Sequence, residues 1–154
     1  MPIVPTFDPL DLREAAELLQ GLYRVNILEL QRGVPGILGA LLPGSGGPGI
    51  RRIRYIRSDP HERWQNLKGI WRRGGGDCED LAAAGAAELT VMGIPARPVV
   101  YKVNDHLAHV VIQSLQDPRR IWDPSKVGGM GETLAGGRIY TPPSAMGAQP
   151  FARC

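Results

Sequence analysis

The sequence predicts an α+β fold, and three observations carry the prediction. Apolar residues over 78–92 step by three and four, the stripe of a helix. Three β-rich segments follow at 97–103, 108–115 and 119–123. Tight turns join them, as in an antiparallel sheet and unlike strands alternating with helices in a doubly wound one.

Residues 9–32 read as a helix: Asp8 suits the N-cap, Pro9 the first helical position, and Leu12, Ala15, Ala16, Leu19, Leu22, Tyr23 and Leu30 keep helical spacing. Gly33 and Pro35 stop it. Residues 33–49 are too rich in glycine and proline for a regular element and form a long loop. Residues 50–57 alternate imperfectly, as a short strand does. After Asp59-Pro60 a helix to residue 73 places Trp64, Leu67, Lys68 and Trp71 on one face, and Gly74-Gly75-Gly76 ends it. Asp77 is the expected N-cap of the central helix, whose inward face is Cys78, Leu81, Ala82, Gly85, Leu89 and Met92; Gly93 stops it. Turns at Asp105 and Asp117-Pro118 separate the three strands.

Composition excludes several classes. The 154 residues include 20 Gly and 14 Pro, yet 43% are apolar and the net charge is only +3. That balance suits a folded chain with irregular segments rather than a disordered one. The glycine and proline concentrate in 33–49 and 124–150. The expected organisation is a helix plus loop over 1–49, a core over 50–125, and a Gly/Pro-rich arm over 126–154. No apolar run reaches the length of a membrane span, so no membrane partner is expected. Met1-Pro2-Ile3-Val4-Pro5 lacks a basic region followed by an apolar core, so no export signal is read and synthesis in the cytoplasm is expected. Two cysteines, Cys78 and Cys154, cannot build a disulfide framework or a structural zinc site.

Cys78 opens the central helix after three glycines. Unpaired N–H groups and the helix dipole stabilise a thiolate there; the competing reading is a small buried hydrophobe. A nucleophilic thiol needs a base and the base an orienter. His109 begins the strand His109-Val110-Val111-Ile112, and Asp123 ends the next, Ile121-Trp122-Asp123. A hairpin turning at 117–118 sets the two side by side at its open end, the arrangement in which a carboxylate fixes an imidazole's tautomer. His106 is a second candidate base in a turn, His61 reads as a surface residue, and Cys154 as an exposed tail thiol.

Gly76-Asp77-Cys78-Glu79-Asp80-Leu81-Ala82, Gly93-Ile94-Pro95-Ala96-Arg97, His109 and Trp122-Asp123-Pro124-Ser125 together resemble the core of the transglutaminase-like cysteine peptidase superfamily. The likeness covers residues 74–125 and is similar in detail to small proteins encoded by tailed bacteriophages. It implies a papain-like core with the Cys helix packed on a small antiparallel sheet, Cys78 as nucleophile, His109 as general base and acid, and Asp123 as orienter. It also implies acyl transfer on a protein or peptide substrate, with hydrolysis favoured over cross-linking. Where many members carry an aromatic residue two positions after the histidine, this chain has Val111. The Cys78 backbone N–H would be one oxyanion donor; Trp64, Gln65, Asn66 and Trp71 are candidates for the second.

Asp77, Glu79 and Asp80 flank the nucleophile. Some relatives bind calcium near such acids, but three side chains fall short of the six to eight oxygens calcium takes. A cap with first-turn acids is the simpler account, and no cofactor is expected. Residues 51–73 carry eight Lys or Arg against Asp59 and Glu62. Few aromatics interleave them, which argues against nucleic acid and for a solvated face or a protein partner. The alternative to an enzyme is a structural or assembly component of a phage virion, using the fold as scaffold. Residues 33–49 and 126–154 would then bind virion or homo-oligomer neighbours.

Overall fold

A computed structural model describes residues 12–57, 64–102, 108–130 and 138–139. Leu12–Gln31 form α1, which buries Leu12, Ala15 and Leu19 along one stripe. The chain leaves α1 through Gly33, whose φ of 94° lies in the left-handed region that glycine tolerates.

Residues 33–49 hold no helix or strand, as expected, but their apolar side chains turn inward. Ile37, Ala40 and Leu41 are buried in a cluster with Ile53, Leu67, Ile70, Leu81 and Ala84. Glu88 fastens the loop by accepting the backbone N–H groups of Ile37 at 2.7 Å and Leu38 at 2.9 Å. Gly36 permits this contact, because a Cβ there would collide with the Glu88 carboxylate. Much of the apolar surface that an arm would offer a neighbour is thus used within the chain.

The strand expected at 50–57 contracts to β1, Arg54–Tyr55. Ile53 is fully buried and Tyr55 half-buried, whereas Arg52 and Arg54 are exposed, so period-two alternation survives over four residues. The helix expected after Pro60 appears as α2, Leu67–Arg73; residues 58–63 lie outside the described residues. Its start is set by Asn66, whose side chain accepts from Gly69 N at 2.9 Å. Two α1 residues complete the cap: Asn26 Oδ1 accepts from Leu67 N at 2.8 Å and Glu29 Oε2 from Lys68 N at 3.1 Å. The inward residues of α2 are Leu67 and Ile70, and Lys68 is exposed, contrary to the expected face. Gly75–Gly76 form β2, an unexpected strand that pairs in parallel with β1.

Cys78–Val91 form α3, begun by a capping box in which Asp77 and Asp80 each accept the other's backbone N–H. Every residue from Cys78 to Ala87 is buried. The single inward face read from the sequence is therefore two faces. Leu81 and Ala84 meet the loop and α2, while Cys78, Ala82, Ala83 and Ala86 join α1 and the sheet. Met92, expected inside, is 63% exposed. Small residues let α3 sit close on its neighbours; a Cβ on Gly85 would lie 2.7 Å from Ile112 Cδ1.

The sheet has the order β5 (Ile121–Trp122), β4 (Ala108–Ser114), β3 (Ala96–Lys102), β6 (Arg138–Ile139), every neighbour antiparallel. Ala96–Lys102 form β3 and Ala108–Ser114 form β4, paired from Ala96↔Ser114 to Lys102↔Ala108. Ile121–Trp122 form β5, Pro124–Val127 the short helix α4, and Arg138–Ile139 form β6, which the sequence reading left in an irregular tail. The turn expected at Asp117-Pro118 is present, with Arg120 N donating to Asp117 O at 2.9 Å; Asp105 and His106 lie outside the described residues. The architecture is α+β. Among the described residues no helix is long and apolar enough to cross a membrane.

Candidate active site

The β4–β5 pairing brings together two of the three expected residues. One step beyond the pair Ile112↔Trp122, Asp123 faces Val111 and is diagonal to His109. His109 is 2% exposed, and its Nε2 lies 3.1 Å from both Asp123 Oδ1 and Oδ2. An ionised carboxylate only accepts, so opposite it Nε2 must be the donor, and in the neutral ring Nδ1 then holds the lone pair. Asp123 is held in turn by the helix it starts: Oδ1 accepts from Ser125 N at 3.1 Å and Lys126 N at 3.4 Å. Tyr101 stands directly across from His109 on β3.

Cys78 occupies the first position of α3, as expected, and is fully buried. It belongs to the cluster containing Ala82, Ala108, Val110 and Ile112. Alternation along β4 sends those three β4 residues toward α3 and directs His109, Val111 and Gln113 to the opposite face. The structure thus unites His109 with Asp123 and seats Cys78 on the α3 side of the sheet. The Cys78 sulfur is held in a disulfide, contrary to the free thiol expected; the other half lies outside the described residues. Separation along the chain does not prevent such pairing, which is why cysteine count and spacing did not reveal it.

The three acids around Cys78 are buried rather than solvated. Asp80 Oδ1 accepts from Gln65 N at 2.7 Å, and its Oδ2 from Gln65 Nε2 at 3.0 Å. Burial, followed by the charge of Asp77, pushes the Glu79 and Asp80 carboxyls well above their ordinary range; burial also raises Asp77. Glu79 lies beside Cys78, with Oε2 3.5 Å from Sγ. A protonated Glu79 adds no negative charge beside a thiolate, so these acids oppose ionisation of Cys78 less than their number suggests. Among the described residues no group of three or more His, Cys, Asp or Glu side chains is arranged to hold a metal ion, and Asp77 and Asp80 are committed to the helix cap.

Of the four candidates for a second oxyanion donor, three are engaged elsewhere. The Gln65 amide donates to Asp80 and, at 3.5 Å, to Gly75 O; Asn66 caps α2; Trp71 Nε1 donates to Pro35 O at 2.8 Å. Trp64 packs against the cluster that contains Cys78. The part of Gln65 in clamping Asp80 was not legible, because nothing in sequence spacing links it to α3.

The raised acids have a consequence for stability. The folded chain keeps protons on Glu79 and Asp80 at pH values where the unfolded chain has released them, so stability falls as pH rises. The fall begins near the unfolded carboxyl value of about 4 and continues until the folded groups ionise, at up to roughly 1.4 kcal/mol per pH unit for each retained proton. Urea unfolding between pH 4.5 and 7.5 should show this decline, and Glu79→Gln should flatten it. A wild-type midpoint that rises through this window would overturn the assignment.

No protein-family model, curated protein or solved structure matches this chain.

Proposed function

We propose that this chain is a thiol-dependent acyl-transfer enzyme, a cysteine peptidase or amidohydrolase of transglutaminase-like type with a papain-like core. Cys78 is its nucleophile, His109 its base and acid, and Asp123 the orienter. The observation that carries the reading is the buried His109–Asp123 pair at 3.1 Å, with Nε2 bound and Nδ1 left to accept a proton. The position of Cys78 at the N-terminus of α3 supports it. In the reduced enzyme the Cys78 thiol gives its proton to His109 and the thiolate attacks an amide carbonyl. His109 protonates the departing amine, and water then resolves the thioester. Because His109 and Cys78 lie on opposite faces of β4, this transfer requires the β4–β5 hairpin to shift against α3 until the imidazole comes within hydrogen-bond reach of the sulfur, a larger change than the tightening of a contact already made.

A second reading, a virion scaffold or assembly component that keeps the fold, is favoured by one observation: Cys78 is fully buried and disulfide-bonded. Alkylation separates the two. After reduction with dithiothreitol, Cys78 should react with iodoacetamide at least tenfold faster than Cys154 at pH 7, and His109→Ala should shift the pH midpoint of that reaction. Equal rates at both cysteines, with no effect of His109→Ala, would leave the scaffold reading standing.

A further inference from the structure

The face built by β1 and α2 is basic and has no role in the proposed chemistry. Arg52, Arg54, Arg57, Lys68, Arg72 and Arg73 are all exposed. Pairing of β1 with β2, through Arg54 N to Gly74 O at 3.1 Å and Ile56 N to Gly76 O at 2.8 Å, sets Arg54 beside the end of α2. Alternation turns Ile53 inward and Arg52 and Arg54 outward on the same side. The Arg52 guanidinium lies over the Trp71 ring, 4.9 Å from its centroid, while Arg52 as a whole stays exposed. Arg51 differs: its Nε donates inward to Leu41 O and Val127 O. None of the six outward cations pairs with a carboxylate among the described residues. With Asp59 and Glu62 counted, the segment 51–73 keeps a charge of +6, since eight basic residues face two acids.

We propose that this face docks an acidic protein segment, its carboxylates held by the Arg52, Arg54, Arg72 and Arg73 guanidinium groups. Guanidinium forks suit carboxylate and phosphate alike, so the partner class is decided by what lies between the cations. Single-stranded nucleic acid binds on aromatic platforms as well as charge. Here Trp71 is covered by Arg52 and its Nε1 is bonded to Pro35 O. Helix α2 has seven residues, too short to fill a groove of a duplex as a recognition helix does. What remains is a compact patch of charge, which a run of aspartate and glutamate side chains complements.

The test uses the full chain and a fluorescent deca-glutamate peptide, followed by anisotropy at 20 and 150 mM salt. Binding should weaken with salt and fall roughly tenfold or more in Arg54→Glu/Arg72→Glu. A second pair, Arg57→Glu/Lys68→Glu, should act in the same direction, and circular dichroism checks that each variant is folded. Arg119→Glu, whose parent residue lies outside the patch and pairs with Asp117, should bind as wild type does. The proposal fails if the peptide does not bind, if both reversals leave binding unchanged, if Arg119→Glu weakens it equally, or if a DNA oligonucleotide binds more tightly at the same salt.

Discussion

Gly75→Ala is expected to destabilise the fold by about 3 kcal/mol, a large share of the 5–15 kcal/mol typical of a domain. A Cβ at this position would collide with the backbone oxygen of Arg54 and sit 2.8 Å from Ile56 Cδ1. The first neighbour is backbone in a paired strand, so it cannot be relieved by a rotamer change. Relief means pulling β1 from β2 and losing the bonds from Arg54 N to Gly74 O and from Ile56 N to Gly76 O. Each such bond contributes about 1 kcal/mol net, and displacing Ile56 adds strain. Gly74→Ala provides the comparison. Its Cβ would meet nothing within 4 Å, but φ is 78°, so the cost is only the left-handed penalty of roughly 1–2 kcal/mol. Urea unfolding should rank wild type above Gly74→Ala above Gly75→Ala. A Gly75→Ala variant within 1 kcal/mol of wild type would mean that the β1–β2 pairing does not hold in solution.

The three glycines therefore do different things. Gly74 ends α2 in a left-handed conformation, Gly75 lets β1 approach, and a Cβ on Gly76 would lie 2.7 Å from Asp80 Cβ at the helix cap. From the sequence they read as the end of the preceding helix, just ahead of Cys78. Glycine has no side chain to carry an alternation pattern, and the parallel partner lies about twenty residues upstream, so the pairing left no local signal. The same holds for β6: Arg138–Ile139 is two residues long and directly follows Gly136-Gly137.

Where side chains carry the pattern, the reading was closer. Asp77 as cap, α3 from Cys78 onward, and the extents of β3 and β4 follow from propensity and turn chemistry within one or two residues. The His109–Asp123 approach follows from hairpin register, because turn position and strand length leave few alternatives. Three features needed tertiary information. Helix α3 is buried on two sides because alanine at 82, 83, 84, 86 and 87 suits either a buried or an exposed surface. The loop over 33–49 packs because a few aliphatic residues among many glycines find a cluster. The face on which His109 emerges depends on where α3 lies across the sheet, which no spacing within one strand specifies.

Asp123→Asn is the sharper test of the site, because it separates the orienting role from the structural one. Asn caps a helix as well as Asp, so α4 should keep its start and the melting temperature should change little. Oδ1 is already committed to Ser125 N and Lys126 N, so the new amide keeps its oxygen there and turns its NH₂ toward His109 Nε2. Nε2 must then accept, and the ring proton moves to Nδ1. Nδ1 can no longer take a proton from a thiol, so amide hydrolysis under the proposed mechanism should fall by roughly 10⁴, as expected for an orienter that holds the wrong tautomer. The ring ¹⁵N shifts of His109 report the exchange of tautomer directly, without a substrate. Asp123→Ala behaves differently: it loses the cap, about 1 kcal/mol, and leaves a buried Nε2–H without its acceptor, another 1–3 kcal/mol. A folded Asp123→Asn protein with an altered tautomer but undiminished hydrolysis would remove His109 from the reaction. One with unchanged ¹⁵N shifts would show that Asp123 does not set the protonation of that ring.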